Sequence, residues 1–316
     1  MTSRERVSAI IRHQPTDRMP IYGWLRANMT PQISEVYGSV EAFEDRFEFD
    51  LAHLFGGPSS VPWERITPGM TPGEYLDIPL SDPDDMAQYA ALIKDINYFQ
   101  GEKGRFVYMQ TPGIFEPING VFGIEEHLAN LLLYEEELRL IYQRQVDWTI
   151  HFINNCLDLG VDMIHISDDW GGQHGLLFSP ELWWRLIYPY QQMLCATVKA
   201  RGAFVSLHSD GNNSQVLDGI VKLGFDVMHP YQESAGMSLE RFKRDYRQHF
   251  TVMGGLDIQS TLGFGKLDFL REEITRVITQ FADGGLILCT SHFVQDHCSV
   301  EELTFAYELI YGLVRE

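Results

Sequence analysis

The chain has 316 residues, with 24 Lys+Arg against 44 Asp+Glu for a formal net charge of −20. Such a field repels phosphate backbones and anionic membrane surfaces, so nucleic acid is excluded as an expected partner. With 45% hydrophobic and 22% charged residues the chain can bury a sizeable core, and its length suits a single-domain α/β barrel.

The N-terminus carries Arg4, Glu5, Arg6 and Arg12 with no apolar h-region, and no later stretch reaches 18 uninterrupted apolar residues. A cytoplasmic protein without a membrane span is expected. The four cysteines, Cys156, Cys195, Cys289 and Cys298, form no CxxC pair and are too sparse for a disulfide framework.

Taken in chain order, short apolar runs bounded by polar residues or glycine predict eight strands, over 21–25, 51–55, 105–110, 161–166, 203–208, 226–229, 250–253 and 286–289. Helical spacing separates most of them. It covers 125–159, through Leu128, Leu131, Leu138, Ile141 and Val146, and 268–281, through Leu270, Ile274, Val277 and Ile278. Eight alternating β/α units with no GxGxxG after the first strand predict an α/β fold, a (β/α)8 TIM barrel forming one domain over 1–316. Residues 56–110, with Pro58, Pro62, Pro68, Pro72, Pro79 and Pro83, read as an irregular excursion over the barrel mouth.

A parallel barrel builds its site where strands end, so the polar residues closing each apolar run are the candidates. The fourth run delivers His165, Asp168, Asp169 and His174; the fifth His208, Asp210 and Asn212. The sixth gives His229 and Glu233, the seventh Asp257 and Gln259, and the eighth Cys289 and His292. Each has a plainer reading. A buried strand cysteine is more often a small hydrophobe, His208 can simply bond its loop, and Asp168–Asp169 can cap the turn before Trp170. Together they suggest a metal or an acid–base pair.

Several stretches carry a family likeness: His165-Ile-Ser-Asp-Asp-Trp-Gly-Gly-Gln, Phe178-Ser-Pro-Glu-Leu-Trp, His208-Ser-Asp-Gly-Asn, Gly254-Gly-Leu-Asp-Ile-Gln and Gly284-Gly, with Arg6 and Asp17-Arg18-Met19-Pro20 near the start. On these the chain resembles the uroporphyrinogen decarboxylase superfamily, which implies the same barrel. The superfamily includes porphyrinogen decarboxylases and zinc-dependent methyltransferases that work with corrinoid proteins or small thiols. The decarboxylases hold a polycarboxylate with paired arginines after a Trp; here Trp24-Leu-Arg26-Ala-Asn has one, and the aspartate expected after the second strand is missing. The methyltransferase branch is the closer match.

That resemblance implies a zinc site at His208, Asp210, Glu233 and Cys289, with Asp210 standing where the branch has Cys. Zinc accepts N, O and S ligands, and an oxygen-richer shell is a harder Lewis acid. The implied function is methyl transfer from a small methylated substrate, such as an aromatic methyl ether, to a corrinoid (cobalamin) cofactor on a partner protein. His165, Asp168 and His292 are its candidate catalytic groups, and Trp24, Arg26, Trp170, Tyr231 and Asp257 its candidate substrate contacts. The resemblance also carries the expectation of a homodimer. Two alternatives stay open: a metal-independent carboxy-lyase on a small carboxylated substrate, and a non-catalytic ligand-binding barrel.

Overall fold

The structure, a computed structural model, describes residues 1–315. Among them the main strands are β1 (Leu51–Leu54), β2 (Phe106–Pro112), β3 (Met163–Ser167), β4 (Phe204–His208), β5 (Val227–His229), β6 (Thr251–Leu256) and β7 (Leu286–Thr290). They alternate with helices in an α/β fold of the (β/α)8-barrel class. Seven of the eight expected strands are present. The first, expected over 21–25, is reduced to a parallel bridge between Ile21 and Leu288. Pro20 has no N–H to extend a ladder, and beyond Tyr22 the backbone turns away: Trp24 N–H donates to the Thr290 hydroxyl. No helix among the described residues is long and apolar enough to cross a membrane.

By internal contacts the chain divides into two compact units. A central unit comprises His53–Glu102 and Val107–Phe225; a terminal unit comprises Met1–Ala52, Lys103–Phe106 and the chain from Asp226.

In the central unit β2, β3 and β4 pair in parallel, and the register sets Pro112 beside Ser167 and Ser167 beside His208. β3 is buried at every position, as a strand covered on both faces must be. The helix Glu135–Asp158 begins with Glu135, Glu136 and Glu137, which complement its dipole, and buries Leu138, Ile141, Tyr142 and Val146. The proline-rich excursion packs along this helix. Arg144 donates to the carbonyls of Tyr75, Leu76 and Ile78, and the Trp148 indole donates to the Ser81 carbonyl.

In the terminal unit β5, β6 and β7 pair in parallel. Its charged core is Asp50, fully buried, whose carboxylate accepts from Arg6 (2.6 Å), Arg18 (2.7 Å), the Ser3 hydroxyl (2.9 Å) and the Ile21 N–H (2.9 Å). Two guanidinium groups and two further donors satisfy the buried charge.

Candidate active site

The aligned ends of β2, β3 and β4 bring three loops together inside the central unit. The loop after β3 crosses the loop after β4 at glycines: a Cβ on Gly171 would lie 2.4 Å from the Asp210 carbonyl oxygen, and Gly211 has φ +74°. Only glycine allows so close a crossing. The crossing is fixed by Asn212 N–H donating to the Gly172 carbonyl (2.8 Å) and by Asp210 N–H donating to the Asp169 carboxylate (2.8 Å).

His208, the last residue of β4, is thereby faced by two carboxylates. Its Nε2 lies 3.8 Å from Asp169 Oδ1 and 3.9 Å from Asp210 Oδ1, and the imidazole is buried while both carboxylates reach solvent. His165 is fully buried beneath, with Nδ1 2.6 Å from the Ser206 hydroxyl and its ring centroid 5.8 Å from that of His208. Burial, helped by His53 and His208, holds its pKa well below the usual histidine value, so it is neutral.

Glu116, just beyond β2, completes the cluster. It accepts from the Ser167 hydroxyl (2.8 Å). Burial, then the charges of Asp169, Asp168 and Asp210, push its carboxyl up from 4.5 to about 8, against the Ser167 bond. Burial and the neighbouring carboxylates favour the protonated form of Glu116, the state a general acid requires.

Glu116 and Ser167 also line a cavity of about 420 Å³ with Phe55, Trp63, Thr111 and Phe152.

Other expected site residues have different settings. Asp168 is fully buried; it accepts from the N–H groups of Phe115 and Glu116 (both 2.8 Å) and from the Gln191 amide (2.7 Å). Those bonds tie Asp168 to the loop that carries Glu116. Trp170 is fully buried and packs edge-on against Trp183, so it is core and no substrate wall.

In the terminal unit Arg26 is bidentate to Glu44 (2.8 and 2.7 Å) and also binds Glu41 (2.8 Å), a structural ion-pair cluster where a substrate contact was expected. Tyr231 is buried against Phe242 and Phe250, which makes it packing as well. Asp257 accepts from the N–H groups of Gln259 (2.7 Å) and Ser234 (3.3 Å) and so shapes its own loop.

Of the four expected metal ligands, His208 and Asp210 adjoin one another. Glu233 is ion-paired to Arg276 at 2.6 Å and also accepts from Leu239 N–H, so its carboxylate is committed to a local structure. Cys289 is fully buried in β7, and burial pushes its thiol well above the usual cysteine range. Trp24 stacks on His229 (4.3 Å between centroids) and lies 5.7 Å from His292. His229 Nε2 lies 3.0 Å from the Thr290 carbonyl oxygen and, as a donor to it, fixes the ring's tautomer.

Glu116 and the pairing of Asp169 with His208 escaped the sequence reading. Glu116 follows its strand by only a few residues, but its weight comes from burial and from carboxylates on two other loops.

These features define a class: an α/β-barrel protein with an imidazole, flanking carboxylates and a protonated acid at its strand ends. The family follows from sequence. The model of the family "Uroporphyrinogen decarboxylase (URO-D)" matches residues 119–312, and the chain belongs to that family. No curated protein matches the sequence. Among solved structures, a methyltransferase from Methanosarcina mazei superposes with a TM-score of 0.75 at 15% identity, over 99% of each chain. A B12-independent methionine synthase from Shewanella sp. W3-18-1, in complex with selenomethionine, gives a TM-score of 0.46 at 10% identity, over 71% of this chain and 66% of that one. The first likeness shows the shared fold.

Proposed function

We propose that the protein is a methyltransferase that takes the methyl group of a small substrate, an aromatic methyl ether, and passes it to a corrinoid carried by a partner protein, with zinc held in the central unit. The observation that carries this reading is His208 Nε2 within 4 Å of two solvent-reaching carboxylates, Asp169 and Asp210. One imidazole and two carboxylates are a donor set zinc accepts. His208 and Asp210 would hold the ion, with Asp169 beside them, and zinc bound there would supply a Lewis acid to polarise a substrate oxygen.

The chain's own acid does the rest. As the C–O bond of the ether breaks and the methyl group passes to the acceptor, the leaving oxygen takes the proton of the Glu116 carboxyl, and the product is the free phenol. Asp168 holds the loop that carries Glu116, through the N–H groups of Phe115 and Glu116 itself. Membership of the URO-D family and the fold shared with a methyltransferase support the reading.

The carboxy-lyase alternative has less support. Among the described residues lining the cavity there is no Lys, Arg or His to receive a carboxylate, and Arg26 is held by Glu44 and Glu41. The test is turnover with 4-methoxyphenol: hydroquinone should form only when cob(I)alamin is supplied, cease after chelator treatment and return with zinc. Product formed without cob(I)alamin, or at an undiminished rate in metal-stripped protein, would refute it.

A further inference from the structure

The cavity inside the central unit has a distinct chemistry. Its walls are Phe55, Trp63 and Phe152, and its polar groups include Thr111, Glu116 and Ser167. At about 420 Å³ it falls in the size range of small-molecule sites. Two of its aromatic walls, Phe55 and Trp63, are 48% and 52% exposed, so their ring surfaces are open to a ligand.

Two further observations point to a ligand. Thr111 is fully buried, and its hydroxyl has no hydrogen-bond partner among the described residues, a state that costs free energy until a partner arrives. Gly120 leaves space that the Trp63 ring takes: a Cβ there would stand 2.5 Å from the indole Cη2. That close approach keeps the indole laid along the cavity wall.

We propose that this cavity is the specificity pocket for an uncharged aromatic ring, gripped between Trp63, Phe55 and Phe152, with the Thr111 hydroxyl donating to an oxygen substituent of that ring. The wall aromatics fit the faces and edges of a planar ring. The absence of cations among the described lining residues selects against carboxylate and phosphate substituents. As the substrate site, this pocket rests on the function proposed above; as a binding site it stands on its own geometry.

Calorimetric titration tests it with four probes: 4-methoxyphenol, methoxybenzene, 4-methoxybenzoate and toluene. The two neutral ethers should bind with one site per chain, and the benzoate at least about tenfold more weakly, which is roughly 1.4 kcal/mol. Trp63→Ala, at a half-exposed position, should weaken both ethers about tenfold or more, and Gly120→Ala, which displaces the indole, should act in the same direction. Thr111→Val should weaken the ethers several-fold and leave toluene binding unchanged. Equal affinity for the benzoate, no binding of any probe, or unaltered affinity in Trp63→Ala and Thr111→Val would each overturn the proposal. Because binding is read without methyl transfer, intact selective binding with no turnover overturns the methyltransferase reading alone. Turnover unaffected by the pocket substitutions overturns the pocket alone.

Discussion

Glu116→Gln isolates the most perturbed acid of the site. In the folded protein its carboxyl holds a proton to about pH 8, because burial and the charges of Asp169, Asp168 and Asp210 oppose ionisation; its ordinary value is 4.5. Between these values the folded state binds more protons than the unfolded state, so this group's contribution to stability is complete below the unfolded value. It declines as pH rises and is fully lost above the folded value. At about 1.36 kcal/mol per pH unit, the loss between about pH 5 and about pH 7.5 is on the order of 3 kcal/mol. Glutamine keeps the shape and cannot ionise. Urea unfolding of metal-free wild type and Glu116→Gln across that range should show the variant gaining stability relative to wild type by roughly this amount, other titrations cancelling in the difference. A stability difference constant to within about 0.5 kcal/mol would refute the reasoning.

Three more outcomes follow from named contacts. Asp50→Ala leaves Arg6 and Arg18 buried without the carboxylate both bind, and should cost about 3–5 kcal/mol in chemical denaturation. His127, buried between Asn119 and Tyr142, has its pKa lowered to about 3 by burial, so nitrogen NMR should find it neutral at about pH 5. A group lowered in this way contributes stability that is present above its unfolded value near 6.5 and lost as pH falls toward the folded one. Zinc content by plasma mass spectrometry should fall in His208→Ala and Asp210→Ala and persist in Glu233→Ala, since Glu233 is already committed to Arg276.

The barrel was legible because its signal is local. Buried parallel strands such as Met163–Ser167 and Leu286–Thr290 are continuous apolar runs, and the helix Glu135–Asp158 repeats its apolar residues on one face. The residues 21–25 were misread because their apolar character serves burial of Ile21, Trp24 and Leu25 without ladder pairing beyond one bridge. His208 and Asp210 were legible as polar residues ending a strand. Which aspartate of Asp168–Asp169 faces the histidine was not, since neighbouring side chains diverge and only the fold decides: Asp168 turns to Gln191 and Asp169 to His208. The ion pairs of Glu233 and Arg26 were illegible for a similar reason. Their partners, Arg276 and Glu44, stand 43 and 18 residues away, beyond the reach of any local pattern.

Single-turnover spectrophotometry of cob(I)alamin with 4-methoxyphenol and zinc-loaded protein tests the central claim most directly, wild type beside His208→Ala. The account predicts conversion of the cob(I)alamin spectrum to that of methylcobalamin in the wild type, slowed at least about a hundredfold in the variant. Equal conversion rates in the two proteins would contradict it.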